Sequence, residues 1–229
     1  MKITWIGQAG LLIETEKATV IIDPYLSDSV GMRNPQKHRR VPVDESLFNI
    51  APDLVLFTHD HLDHYDPESA ERYLAMPHEK TVLCPASVWS EARKNGGNNN
   101  YVRFDVGTEW SEKGLRFRAV RAVHSDDFAI GFIIEETETG KKVYVTGDTL
   151  YNAAIFPTLP DDLFAVLLPV NGVGNNMNVE DAERFAAATG AKYAVPLHVS
   201  LFDTMTPQIF KAKNAVYPEF YKEIVFPEK

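Results

Sequence analysis

Apolar and polar residues alternate at the start of the chain in the pattern typical of half-buried β-strands. Three short strands are predicted there, at residues 2–6, 11–15 and 18–22. Continuous apolar runs predict buried strands further along, at residues 54–57, 81–84, 163–168 and 193–197. Alternation resumes between these runs, which predicts strands at residues 115–123, 128–135 and 142–146.

Capping residues predict helices between the strands. Asp66 and Pro67 suit the cap and the first position of one helix, and a second helix is expected to run from its cap at Asn178 to a stop at Gly190. Residues 24–50 show no period and are expected to form a long loop. Two more helices are predicted, at residues 86–94 and, with an amphipathic pattern, from about Pro207 onward. The chain twice shows a run of strands followed by alternating strands and helices. This repeated order predicts one α/β domain of two pseudo-similar halves over residues 1–229.

Composition narrows the class of protein. A chain of 229 residues with 45% apolar and 24% charged residues is typical of a soluble globular domain with a large core. The net charge of −9 argues against a nucleic-acid-binding face, and no apolar run is long enough to cross a membrane. The start of the chain has no signal-peptide pattern, so a cytoplasmic location is expected. The single cysteine, Cys84, excludes an internal disulfide and is expected to be a buried packing residue.

Residues 59–64 read His-Asp-His-Leu-Asp-His, and they concentrate imidazole and carboxylate groups just after a predicted strand. This is the ligand chemistry of Zn²⁺, Mn²⁺ and Fe. His59 and His61 point to the same side if the chain stays extended there. A loop this short cannot bring all its donors comfortably to one ion, whereas two adjacent ions with further ligands solve the geometry. Other predicted strand ends offer those ligands: His124, Asp148 and His198.

The order of these groups resembles the metallo-β-lactamase superfamily. An H-x-H-x-D-H motif is followed by a strand-end histidine, by Gly147-Asp148-Thr149 and by a last strand-end histidine, and Asp23 resembles the residue of the family's first motif. Within the superfamily, residues 58–64 and 178–190 followed by 194–198 resemble the ascorbate-6-phosphate lactonase-like branch. The resemblance implies a four-layer αββα sandwich with its site at one edge.

The resemblance also implies two divalent metal ions, with Zn²⁺ or Mn²⁺ favoured and Fe as the alternative. Asp148 would bridge the two ions, and Asp23 and Thr149 would support the ligands from behind. The implied ligand groups are His59, His61 and His124 for one metal, and Asp63, His64 and His198 for the other.

The implied activity is hydrolysis by a metal-activated hydroxide, which Asp63 would orient toward a small anionic lactone or ester. Positive charge in residues 33–40 is expected to bind the substrate's phosphate or carboxylate, with a solvated loop as the alternative. These candidate substrate-binding residues are Arg33, Lys37, Arg39 and Arg40. Asn171 and residues 174–176 follow a predicted strand end, where they either line the site or form a plain turn.

Several alternatives stay open. A phosphodiesterase of the same fold is the second enzyme hypothesis, and the acidic charge weakens its nuclease form. A di-iron redox protein would use the same ligands, and a non-catalytic metal-binding protein is disfavoured by the complete ligand set. The aromatic residues near the C-terminal end are expected to pack on the domain, with a homo-oligomer interface as the alternative: Phe210, Tyr217, Phe220 and Tyr221.

Overall fold

Two six-stranded sheets form the centre of the protein, which we describe from a computed structural model over residues 1–227. The first sheet keeps its strands in chain order, antiparallel from its first to its third strand and parallel from its third to its sixth. Its strands are β1 (Lys2–Gly7), β2 (Gly10–Glu14), β3 (Thr19–Ile22), β4 (Leu54–Leu56), β5 (Thr81–Cys84) and β6 (Asn100–Arg103).

The second sheet repeats this plan. Its strands are β7 (Glu109–Glu112), β8 (Leu115–Arg121), β9 (Ile130–Glu136), β10 (Lys141–Val145), β11 (Leu163–Pro169) and β12 (Tyr193–Leu197). The strands again lie in chain order, antiparallel from β7 to β10 and parallel from β10 to β12. Each half of the chain therefore contributes one sheet that is antiparallel first and parallel afterwards.

Alternate residues of the strands build separate cores on the two faces of each sheet. In β4, Leu54 and Leu56 face the core between the sheets, whereas Val55 packs in a second core with the helices of the first half. In β11, Leu167 faces the central core, whereas Val166 packs in a separate core that includes residues of α4. The outer layers contain α2 (Pro67–Leu74), α3 (Ala86–Ala92) and α4 (Val179–Thr189). The predicted four-layer αββα sandwich is confirmed.

Both predicted caps are present. The Asp66 carboxylate accepts from the backbone of Ser69 at the start of α2, and Asn178 accepts from the backbone N of Asp181 at 2.9 Å at the start of α4. Gly190 ends α4 in the left-handed conformation, with φ 67°.

Residues 24–50 are mostly irregular, as predicted, with a short helix α1 (Ser29–Arg33) and 3₁₀ turns at Pro35–Lys37 and Glu45–Asn49.

The predicted C-terminal helix is wrong. A 3₁₀ turn at Pro207–Ile209 is followed by irregular chain that forms two single bridges, Ala215 with Ala194 of β12 and Glu223 with Thr4 of β1. Both β12 and β1 are edge strands, so each has unpaired backbone groups that this segment satisfies. Pairing with two sheet edges therefore overrides the helical pattern.

The C-terminal aromatic side chains pack on the sandwich. Phe220 stacks on Trp5 with ring centroids 4.2 Å apart, Phe210 is fully buried, and the Tyr221 hydroxyl donates to the carbonyl of Pro42. Tyr217 is 40% exposed. Among the described residues, the helices are too short and too polar to cross a bilayer.

Candidate metal centre

The carboxyl ends of strands from both sheets meet at one edge of the sandwich. The H-x-H-x-D-H loop follows β4, His124 follows β8, Asp148 follows β10 and His198 follows β12. A Cβ on Gly147 would lie 3.0 Å from Cβ of Thr58, which follows β4, and 2.8 Å from the carbonyl oxygen of Ile130 in its own sheet, and the φ of Gly147 is +61°. Only glycine allows this approach, and it places the loop after β10 directly against the loop after β4.

His59, His61 and His124 form what we call the first ligand group. Their ring centroids are 4.6 Å apart in all three pairs, and one donor atom from each lies within 4.8 Å of the others. His124 Nε2 is 3.0 Å from His61 Nδ1. His59 is fully buried, and its Nε2 has no hydrogen-bond partner within the described chain.

The remote nitrogen of each ring in the first ligand group is held by a neutral oxygen. His59 Nδ1 lies 3.0 Å from Thr58 Oγ1, and His61 Nε2 lies 3.2 Å from Ser125 Oγ. His124 Nδ1 lies 3.2 Å from the carbonyl oxygen of Asn175. These contacts leave His59 Nε2, His61 Nδ1 and His124 Nε2 free to face a common point.

Asp63, His64 and His198 form the second ligand group, with donor atoms within 4.8 Å of one another. His64 Nδ1 lies 2.7 Å from Asp23 Oδ2, and both groups are almost fully buried. Asp23 also accepts from the backbone N of Thr58 at 2.8 Å, so it ties His64 to the start of the motif. His198 Nε2 is 3.3 Å from Asp63 Oδ2.

Asp148 lies between the two groups. It forms a third donor cluster with His59 of the first group and His64 of the second. Its Oδ1 is 3.2 Å from His64 Nε2, and its Oδ2 is 3.1 Å from His198 Nε2. Asn176 Nδ2 donates to Asp148 Oδ2 at 2.7 Å. This is the position that a bridging carboxylate would occupy.

The pKa values of His59 and His124 shift in the opposite direction to those of His64 and His198. Burial lowers the pKa of His59 well below its usual value and also lowers that of His124. Burial acts in the same direction on His64 and His198, but the nearby carboxylates outweigh it, with Asp148 the strongest. The pKa of His64 is therefore well raised and that of His198 rises to about 9. Although burial opposes ionisation of Asp148, His198 and His64 hold its pKa well below the usual range.

This donor set matches a divalent metal. Imidazole and carboxylate are the groups that bind Zn²⁺ and Mn²⁺, and a buried imidazole nitrogen without a partner, as in His59, would be costly in a site built only from protein. Asp23 behind His64 is the carboxylate–imidazole pairing that orients metal-ligating histidines.

Of the other predicted site residues, Thr149 and Asn171 contact groups at this edge. Thr149 Oγ1 accepts from the backbone N of Val123, beside His124, at 2.9 Å. Asn171 Nδ2 is 2.9 Å from His198 Nδ1. Arg39 donates to the carbonyl oxygen of Tyr25 at 2.7 Å and to the hydroxyl of Tyr221 at 3.1 Å. Three more cationic residues are exposed: Arg33, Lys37 and Arg40.

Two supporting residues, Gln8 and Asp126, were not predicted from the sequence. Gln8, in the β1–β2 turn, donates through Nε2 to Asp63 Oδ2 at 2.8 Å, and its carbonyl accepts from the backbone N of His198 at 3.0 Å. Asp126 accepts from the backbone N of Asp60 at 3.2 Å and so holds the metal-binding loop. Asp126 lies two residues after the predicted ligand His124, and this proximity could have indicated a role in the site. For Gln8, the sequence offers only its place in a glycine-flanked turn.

A two-sheet sandwich with clustered histidines and aspartates at its edge defines the metallo-β-lactamase class of metalloproteins. The family model described as "Beta-lactamase superfamily domain" matches residues 18–199. The "UPF0173 metal-dependent hydrolase Ta0764" of Thermoplasma acidophilum is 31% identical over 244 aligned positions, covering 98% of each chain. The chain therefore belongs to the metallo-β-lactamase superfamily, as a metal-dependent hydrolase related to the UPF0173 proteins.

Solved structures agree on the fold. Igni18, a metallo hydrolase from Ignicoccus hospitalis, superposes with a TM-score of 0.76 at 22% identity, covering 100% of this chain and 99% of the other. The metallo-beta-lactamase fold protein YhfI from Bacillus subtilis superposes with a TM-score of 0.74 at 14% identity, covering 97% of each chain. At these identities the likeness shows the shared fold alone.

Proposed function

We propose that each ligand group binds one divalent metal ion, Zn²⁺ or Mn²⁺, and that the protein hydrolyses a small anionic lactone or ester. The observation that carries the proposal is the place of Asp148, which shares a donor cluster with His59 of the first group and His64 of the second and also contacts His198. A carboxylate in this place suits two neighbouring ions better than one, because its donor cluster joins His59 of the first group to His64 of the second.

The residues supply distinct parts of the reaction. Metal ions held by the two groups would lower the pKa of a water nucleophile and polarise the substrate carbonyl. Asp63 would orient that water, and Gln8 holds the Asp63 carboxylate in place through Oδ2. Asp23 fixes the direction of the His64 ring, and Asp126 fixes the backbone between His59 and His61.

The cationic segment supports an anionic substrate. Arg33, Lys37 and Arg40 are exposed in a protein whose net charge is −9. The backbone N of Arg40 donates to the carbonyl of Leu201 at 2.9 Å, so the end of this segment contacts the chain three residues beyond His198. Arginine and lysine there would attract a carboxylate or phosphate on the substrate. The resemblance to the lactonase-like branch favours a lactone.

The test combines metal content with turnover. The protein is purified without added metal, its metals are quantified, and lactones, sugar-phosphate lactones, esters and phosphodiesters are assayed with wild type, His61→Ala and Asp148→Ala. We expect about two metals per wild-type chain and losses of about 10³-fold or more in both variants, since metal catalysis contributes several kcal/mol. His78→Ala is the matched control, because His78 contacts the Pro52 carbonyl instead of either ligand group.

Four results would contradict the proposal. Wild type without bound metal, or unchanged turnover in both variants, would remove the mechanism. Turnover confined to phosphodiesters would replace the substrate class. A fully metallated protein without turnover on any of these substrates would favour the non-catalytic alternative.

A further inference from the structure

One loop contacts ligands of both groups from behind. Residues 171–176, which we call the amide loop, connect β11 to α4. Asn171 Nδ2 lies 2.9 Å from His198 Nδ1, the Asn175 carbonyl lies 3.2 Å from His124 Nδ1, and Asn176 donates to Asp148 at 2.7 Å. A histidine of each group and the carboxylate between the groups are therefore all in contact with six consecutive residues.

The amide loop is anchored at its carboxyl end. The backbone N of Gly172 donates to the Met177 carbonyl, and the backbone N of Met177 donates to the Thr149 carbonyl, both at 3.0 Å. Gly172 has a φ of +68°, and a Cβ there would lie 3.1 Å from Cβ of Asn178, the cap of α4. These bonds fix the loop relative to both α4 and the residue that follows Asp148, so its side chains act from a rigid support.

The hydrogen-bond directions of the two asparagines differ. The Asp148 carboxylate can only accept, so Asn176 must donate to it through Nδ2. His198 turns Nε2 toward Asp148 and Asp63, at 3.1 and 3.3 Å, which makes Nε2 the nitrogen that faces the metal position. A histidine that binds metal through Nε2 carries its proton on Nδ1 and donates it.

The Asn171 amide must then present its oxygen to His198. Two donors cannot face each other, and Asn171 Oδ1 is buried without a partner when Nδ2 faces the ring. Oxygen and nitrogen of an amide occupy nearly the same places, so a half-turn of the amide leaves the packing unchanged. With that half-turn, Oδ1 accepts from His198 Nδ1.

We propose that the amide loop is a positioning element for the metal centre: Asn171 accepts from His198 through Oδ1 and holds Nε2 free for metal, while Asn176 donates to Asp148 and holds its carboxylate between the ligand groups. This inference rests on the two metal positions proposed above. It assigns Asn171 a role behind a ligand, in place of direct contact with substrate.

Substitution of asparagine by aspartate should weaken metal binding at position 176 but not at position 171. Asn171→Asp keeps an acceptor facing His198, so metal affinity should stay within about threefold of wild type. Asn171→Ala removes the acceptor and should weaken binding of one metal about 10–100-fold. Asn176→Asp places a second carboxylate against Asp148 and should also weaken binding, at least tenfold. Affinity is measured by competition with a chromophoric chelator, and the Co²⁺ absorption spectrum reports the ligand geometry.

Val173→Ala controls for general disturbance of the amide loop, because Val173 is 59% exposed at its tip, and it should leave affinity unchanged. Thermal unfolding of the metal-free variants shows that each is folded. Equal losses in Asn171→Asp and Asn171→Ala, with normal wild-type binding, would overturn this inference alone, since Asn171 would then act as a donor. A folded wild-type chain that binds no metal would overturn the proposed function and this inference together.

Discussion

The two ligand groups differ in their donors and in their surroundings: the first has three imidazoles, and the second has two imidazoles and a carboxylate. In the first group, neutral oxygens of Thr58, Ser125 and Asn175 hold the remote ring nitrogens, and His61 and His124 are partly exposed. In the second group His64 and His198 are buried, and carboxylates lie on both sides of His64.

This difference affects the protonation of the histidines in each group before a metal binds. Neutral surroundings and burial keep His59 and His124 uncharged near pH 7, so these two ligands can accept a cation without losing a proton. The second group is charged at the same pH, because Asp148 and its neighbouring carboxylates stabilise protonated imidazoles. A metal ion must therefore displace protons from the second group but not from His59 or His124.

The largest effect is expected from Asp23→Ala, which removes the carboxylate behind His64. Metal bound by the second group should weaken about 10–100-fold. The first group should weaken less, because Asp23 reaches it only through Thr58, whose Oγ1 donates to Asp23 Oδ2 at 2.5 Å and contacts His59. Two-site chelator competition measures both affinities, and Asp162→Ala, at an exposed ion pair with Lys142, is the control. Equal weakening at both sites would remove the distinction between the groups.

A pH series sharpens the same comparison. His198 has a pKa of about 9, so it is protonated below that pH and must lose a proton to bind metal. Affinity of the second group should therefore rise as the pH increases from 7 to about 9. The lowered pKa values of His59 and His124 predict a flatter profile for the first group over the same range. Titration at several pH values checks this, and parallel profiles for the two sites would contradict it.

The smallest effect is expected outside the metal edge, at Tyr144. Its hydroxyl is buried without a partner in the described chain, like His59 Nε2, but it lies in the apolar core beneath α4. Tyr144→Phe should remove the desolvation cost and stabilise the protein by about 1 kcal/mol, or about 2–4 °C in melting temperature. Metal content should not change. A fall of several degrees in the calorimetric melting temperature would instead indicate a polar partner for this hydroxyl.

Much of the fold could be predicted because its strands carry strong patterns. Continuous apolar runs such as β11 and the caps at Asp66 and Asn178 have direct physical causes in burial and capping. The missed strands β6 and β7 lack that pattern. Each is short, and β7 is an edge strand with charged residues at both ends, so neither shows a clear apolar face.

Part of the candidate site could likewise be predicted from the sequence, and part could not. The proposed ligands could be predicted, because residues at the ends of parallel strands converge and imidazoles cluster in residues 59–64. The role of Gln8 could not, since its partner Asp63 is 55 residues away and a turn glutamine is usually exposed. The direction of the Asn171 amide requires the position of His198 as well as the identity of the residue.

The most direct test of the account is a crystal structure of the Mn²⁺- or Zn²⁺-loaded protein with anomalous scattering measured at the metal's absorption edge. We predict two anomalous peaks, one within coordination distance of His59, His61 and His124, the other of Asp63, His64 and His198, with Asp148 between them. A single peak, or two peaks that leave either ligand group without a metal, would contradict the binuclear centre.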